Sequence, residues 1–199
     1  MLMTESNHRQ SEYPINPIFL DRWGPRAFDG KPMPVEDLLT VLDASRWAPS
    51  ALNVQPWRFI YVLRDKDGWD EAVALLMEAN QVWARNAAAL VFMVSHTKRL
   101  NRDGGWADNA GHAFDSGSAW MAASLQAKML GYDTHGMGGI HKDKIAEKFD
   151  VPADYTVEMA FAIGKYGRKE DLPEALQERE APSSRKPLSE VVFEGHFKG

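Results

Sequence analysis

The run Ala87–Val94 is apolar without a break, so no amphipathic pattern can leave either of its faces in water. Extended to Ser95, it reads as a strand covered on both sides, and it is far shorter than the ~20 residues of a membrane helix. A second run, Arg58–Arg64, encloses Phe59, Ile60, Tyr61, Val62 and Leu63 between charged ends. It too is apolar on both faces, which places it at the centre of a sheet rather than at an edge.

Helical patterns surround these strands. Pro34 opens a helix carrying Val35, Leu38, Leu39 and Leu42, and the pattern stops before Pro49. Trp69–Trp83 reads as a second helix. Asp108–Leu130 reads as the longest, with Ala110, Gly111, Ala113, Gly117, Ala119, Ala122, Ala123 and Ala127 interleaved with Phe114, Met121, Leu125 and Met129. Small residues permit close backbone approach, so this helix is expected to be central or at a subunit contact. A short helix at His141–Phe149 ends near Pro152. Tyr155–Gly164 alternates, with Tyr155, Val157, Met159, Phe161 and Ile163 expected on one face. Residues 97–107 read as a polar loop. The element order fits α+β or α/β and does not choose between them.

With 199 residues, 44% hydrophobic and 26% charged, the chain suits one domain and excludes wholesale disorder. The absence of cysteine removes disulfide scaffolds, thiol nucleophiles and Cys-ligated metals. A net charge of −5 without a long basic run argues against nucleic acid. Residues 1–17 are polar and lack the apolar core of a signal peptide, so a loose leader and a cytoplasmic, membrane-free protein are expected. His135 and His141 match no common metal spacing, and no metal site is expected.

Four segments offer chemistry. Asp21–Phe28 sets Arg22 and Arg26 four residues apart, either surface arginines or an anion site. Ala48–Trp57 combines Pro49 and Pro56 with Ser50, Asn53 and Gln55, a rigid loop suited to presenting polar groups to a ligand. Thr134–Gly139 carries Gly136, Gly138 and Gly139, which let backbone approach a flat ligand. Ser184–Leu188 adds Arg185 and Lys186, a solvated patch or a further contributor to the anion site. No acid–base pair or activated nucleophile emerges, and no side chain is assigned a catalytic role. The set describes cofactor binding, with the cofactor carrying the chemistry.

Pro49-Ser50-Ala51-Leu52-Asn53-Val54-Gln55-Pro56-Trp57 resembles the hallmark loop of the nitroreductase-like flavin enzymes. Arg22 to Phe28, Gly131 to Gly139 and Arg185 to Val192 are similar to that family's phosphate segment, flavin-platform turn and C-terminal basic segment, in the same order. The resemblance implies an α+β fold with a mostly antiparallel central sheet flanked by helices, in an arm-exchanged homodimer. It divides the chain into a leader at 1–17, a flavin-binding domain at 18–167 and a C-terminal arm at 168–199. It implies FMN as cofactor, NADH or NADPH as donor, and ping-pong hydride transfer through flavin N5 to a small-molecule acceptor such as a nitroaromatic or quinone. Specialised dehalogenating or flavin-fragmenting members, and a non-catalytic flavin-binding protein, are the alternatives.

The implied residue roles follow position by position. Arg22, with Trp23 beside it, and Arg185 hold the FMN phosphate, while Arg26 lies by the pyrimidine edge. Pro49, Ser50, Ala51 and Asn53 line the ring from the other subunit. Gly136, Met137, Gly138 and Gly139 pack on it, and Asn80 is assigned to the pyrimidine edge. Gly24 stands where relatives often carry serine, and Trp83 where some carry lysine. Trp106 and Phe114 are either acceptor-pocket residues or ordinary loop and core aromatics.

Overall fold

Pro17 and Pro34 each stand just before a helix, where a missing N–H removes no intrahelical bond. They open α1 (Ile18–Asp21) and α2 (Val35–Ser45) in a computed structural model that describes residues 4–198. A hairpin of β1 (Thr4–Ser6) and β2 (Arg9–Ser11) precedes them. The chain then runs through β3 (Trp57–Leu63), α3 (Trp69–Ala74), α4 (Glu78–Ala84) and β4 (Ala89–His96). A second hairpin, β5 (Lys98–Leu100) and β6 (Trp106–Asp108), leads into α5 (His112–Met129). β7 (Asp133–Met137), α6 (Lys142–Lys148), β8 (Tyr155–Gly164) and α7 (Glu174–Gln177) complete it.

The main sheet has the order β3-β4-β8-β7, and all its pairings are antiparallel. The apolar run supplies β4, an inner strand buried on both faces. Leu90, Phe92 and Val94 enter one core with Leu76, Trp83, Ile140 and Ile145. Ala89 and Val91 enter another with Leu38, Val41, Ala123 and Ala127. The sheet is thus sandwiched between α2 and α5 on one side and α3, α4 and α6 on the other. Each large side chain buried this way contributes roughly 1.5–3 kcal/mol. This is an α+β fold. Among the described residues, no helix is long and apolar enough to cross a membrane.

Several sequence expectations need correction. β3 pairs with β4 alone and is an edge strand of this sheet, not a central one. Its two apolar faces are only partly covered. Trp69–Trp83 is not one helix. Between α3 and α4, the Met77 N–H donates to the Gly139 carbonyl and the His141 N–H to the Leu75 carbonyl. The backbone there pairs with residues 139–141 instead of continuing the helix, and Leu76 bridges to Ile140. The polar loop at 97–107 contains the β5–β6 hairpin.

β8 does not keep one face. Met93 pairs with Met159 but Val94 pairs with Val157, so Glu158 is an extra residue in the ladder. Val157 therefore lies with the Trp83 core, while Phe161 and Ile163 lie with the Leu38 core. The extra residue accepts a hydrogen bond from the Ser95 hydroxyl at 2.5 Å and lies 3.0 Å from His112 Nδ1.

Candidate functional site

Arg22 follows the last turn of α1, and its N–H bonds the Ile18 carbonyl. Arg9, in the hairpin, donates from Nη1 to the carbonyls of Leu20 and Arg22, both at 2.9 Å. It thereby caps α1 and sets its guanidinium beside Arg22. Arg185 in the C-terminal arm completes a group of three. Burial holds both Arg9 and Arg22 below the ordinary arginine range, and the Arg185 charge pushes both down further. Asp133 opposes that push at Arg22. The Nε atoms of Arg9 and Arg22 are buried without a hydrogen-bond partner. Three converging cations, two of them with desolvated donors, make this a candidate anion site. Arg9 sits in a polar stretch with no apolar periodicity, and sequence reasoning missed it.

Four residues along the chain from Arg22, Arg26 runs beside β7. The His135 ring on β7 lies with Nδ1 3.0 Å from the Pro25 carbonyl, which accepts its proton. The same ring packs on Trp83, with centroids 4.5 Å apart. Burial, and then the Arg26 charge, lower the His135 pKa and favour the neutral ring. Trp23 packs against Tyr166 at 5.6 Å. Trp83 is buried between Phe28 and His135 and is a core residue in this chain.

The glycine segment is not the turn expected from sequence. Thr134–Met137 belongs to edge strand β7, and Gly138 and Gly139 follow it. A Cβ at Gly136 would come 2.6 Å from Met159 Cε, the end of a flexible side chain, and 3.1 Å from Trp120, so any larger residue there makes both neighbours shift. At Gly138 a Cβ would meet nothing within 4 Å, so the space above that backbone is open. The Met137 side chain is buried in the core, which leaves its backbone for any ligand contact. Asn80 donates from Nδ2 to the Gly139 carbonyl at 2.9 Å and so lies at the same strand end.

The Pro49–Asn53 loop stands on another part of the chain. Its N–H at Ala51 donates to Asp115 on α5 at 3.1 Å, and Ser50 Oγ accepts from the Gln55 N–H at 3.0 Å. Leu52, Asn53 and Gln55 all adopt positive φ, at 53°, 56° and 51°. Three non-glycine residues in that region within four positions form a strained, fixed loop, as binding sites often do. The loop is exposed, with Leu52 76% accessible. Nearby on α5, Phe114 is 82% accessible, and Trp106 on β6 is also exposed, its ring edge-on to His96. The structure thus brings Arg22 and Arg26 beside β7, Asn80 to its Gly139 end and Arg185 beside Arg22, so that these residues line one strand. It does not join Pro49, Ser50, Ala51 and Asn53 to that strand within the chain.

An antiparallel sheet between helical layers defines an α+β protein, and a cluster of arginines and a glycine-lined strand end make its candidate site. The sequence matches the Nitroreductase family over residues 20–82 and 66–165. It is 26% identical over 163 residues to the Bacillus subtilis protein provisionally named NAD(P)H nitroreductase YdgI, covering 65% of this chain and 77% of that one. It is 28% identical over 180 residues to the Synechocystis protein DrgA, covering 75% and 80% respectively. A solved structure described as an oxidoreductase containing FMN superposes with a TM-score of 0.96 at 55% identity, covering 99% of this chain and 100% of that one. The chain belongs to the nitroreductase family, and it is an enzyme of the oxidoreductase class.

Proposed function

We propose that the chain is an FMN-dependent NAD(P)H oxidoreductase that passes a hydride from a reduced nicotinamide to a small oxidant, such as a nitroaromatic or a quinone. The observation that carries this reading is the arginine group. Each buried, unpartnered donor costs about 1–3 kcal/mol, which a phosphate ester accepting from Arg9, Arg22 and Arg185 would offset. The similarity to an FMN-containing oxidoreductase over nearly the whole chain supports FMN as that ester.

The residues present fit the group. Open space above Gly138 leaves room for a flat ring. FMN supplies the hydride-accepting and hydride-donating centre. Arg26 places positive charge where the reduced ring system becomes anionic, a contribution that grows with reduction. His135, held neutral, keeps Pro25 in place without adding a second cation. Asn80 fixes the Gly139 carbonyl and so the edge of the platform.

We further propose a homodimer whose sites span two chains. Phe114, Gly117, Met121 and Met129 put an exposed apolar stripe along α5. The exposed Pro49–Asn53 loop, standing at the start of that stripe, would complete the partner's site. Val191 and Val192 at the arm's end are exposed as well and suit a partner surface.

The reading is tested by heating the purified protein and chromatographing the released pigment against standards. FMN is expected, and FAD or no flavin would refute the assignment. Anaerobic mixing with NADH or NADPH should then bleach the flavin absorbance. A flavin that neither donor bleaches would make this a binding protein rather than a nicotinamide-dependent enzyme.

A further inference from the structure

Glu180 lies in the charged C-terminal arm, yet its side chain has no exposed surface. Leu172, also buried, anchors the same stretch, so this half of the arm crosses its own domain. Glu180 Oε1 accepts the N–H of Arg26 at 2.7 Å and the N–H of Ala27 at 2.9 Å. Its Oε2 stands 3.7 Å from Arg26 Nη1 and has no hydrogen-bond partner. A carboxylate is thus gripped by two successive backbone N–H groups and paired with the guanidinium of the first of them.

We propose that Glu180 is a positioning residue that fixes the Arg26 backbone and offsets part of the Arg26 charge, and so sets how strongly the site favours reduced over oxidised FMN. The inference rests on the reading that Arg26 lies beside the flavin. Its physical basis is the low-dielectric setting. A fully buried charge acts over several ångströms with little screening, and a cation paired with it presents a weaker field to a third group. Both backbone bonds converge on one oxygen, so the loop from Arg22 to Phe28 cannot shift without breaking them. The arm therefore reaches the site twice, through Glu180 at Arg26 and through Arg185 at the phosphate end, with opposite charges.

The amide variant separates this role from simple stapling. In Glu180→Gln the side-chain oxygen can still accept both N–H groups, but the charge is gone. The variant should hold reduced FMN more tightly relative to oxidised FMN by about tenfold, a rise in midpoint potential of ~30 mV for a two-electron couple. A folded, FMN-loaded variant with the wild-type potential would overturn the proposal and leave Glu180 as a staple. Should Glu180→Gln not fold, Glu180→Gln with Arg26→Gln removes the pair as a neutral unit. Its potential should lie above that of Arg26→Gln alone, and equality of the two would likewise overturn the proposal. Arg26→Gln itself tests the underlying reading. Its potential should fall below the wild-type value, and no change there would place Arg26 away from the flavin, whatever Glu180 does.

Discussion

The Asp115 carboxylate on α5 accepts the Ala51 N–H at 3.1 Å and so ties the Pro49–Asn53 loop to the longest helix of the fold. Asp115 is buried in the first turn of that helix, and the loop it holds contains three residues at positive φ. Removing the carboxylate should release that strain into loop mobility. Asp115→Ala is expected to lower stability by about 0.5–1.5 kcal/mol, since the exposed Ala51 N–H trades its carboxylate acceptor for water. FMN affinity should fall with it, because the loop lines the proposed site. Urea unfolding and fluorescence titration of the apoprotein measure the two effects. Unchanged stability would mean that the loop is held by its own Ser50–Gln55 bond instead.

Arg9 should matter to the cofactor although it precedes the family match. Arg9→Ala removes a charged donor and the cap of α1 together, and it is expected to weaken FMN binding by roughly ten- to a hundred-fold. Arg9→Lys keeps the charge but cannot bridge two carbonyls while offering Nε, so its affinity should fall between the two. The measurement is FMN affinity at low and high salt. Wild-type affinity in Arg9→Ala would reduce Arg9 to an anchor of the hairpin.

What could be read in advance was what local pattern encodes. The run ending at Val94 had to be doubly buried, and β4 is. Arg22, Arg26 and Arg185 stood out because their segments are short, charged and distinctive. Arg9 and Glu180 did not, because nothing local separates a charge that will be buried from one that will stay in water. Both acquire their roles only when distant segments meet, over 154 residues in the case of Glu180 and Arg26. Glycines mislead in the same way. Gly136 reads as a turn former, but it pairs with Phe161 in the β7–β8 ladder, and Met159 and Trp120 stand where its side chain would be. Periodicity in β3 reports apolar faces and not neighbours, so it cannot tell an inner strand from an edge one. The one-residue slip at Glu158 is likewise set by pairing with β4, and no pattern within β8 marks it.

Gly117 offers a clean test of assembly. It lies on the exposed face of α5, where a Cβ would meet nothing within 4 Å in the same chain. A larger residue there should leave the isolated fold intact, and replacing a helical glycine even favours the helix by a few tenths of a kcal/mol or more. Gly117→Arg is therefore expected to break a close helix–helix contact between subunits without unfolding either. Sedimentation should show a shift from dimer to monomer, with FMN lost alongside. A variant that remains dimeric and yellow would move the subunit contact away from this face of α5.

Tyr132 should set an upper pH limit. Its hydroxyl donates to Asp37 Oδ2 at 2.6 Å and links the end of α5 to α2. Burial, and then Asp37, push its pKa up to about 12 from the ordinary 10.0. A raised folded pKa means that the neutral phenol is favoured in the folded state. That stability is complete below the ordinary value and is lost as pH rises from there through about 12. Tyr132→Phe should be less stable at neutral pH, yet it should lose less on going to alkaline pH. Parallel alkaline unfolding curves for the two proteins would rule out this linkage.

His135 works at the other end of the pH scale. Its ring is enclosed by Trp83, the Pro25 carbonyl and the Arg26 charge. Burial and then Arg26 lower its pKa below the ordinary 6.5. The unfolded chain therefore binds a proton at this ring before the folded chain does. Where the unfolded state holds more protons, stability rises with pH, so it falls as pH drops through 6.5 and keeps falling until the folded pKa is passed. His135→Asn keeps a donor for Pro25 but carries no titrating ring, and it should lack this part of the acid sensitivity. The other histidines are common to both proteins, so the difference between their urea midpoints isolates the one ring. That difference should change between about pH 8 and about pH 5 in favour of the variant. The same protonation would put a second cation beside Arg26 and raise the flavin potential more steeply in the wild type than in His135→Asn. A constant difference in stability across that range would mean that the ring titrates alike in both states, and the assigned neutral role of His135 would fall.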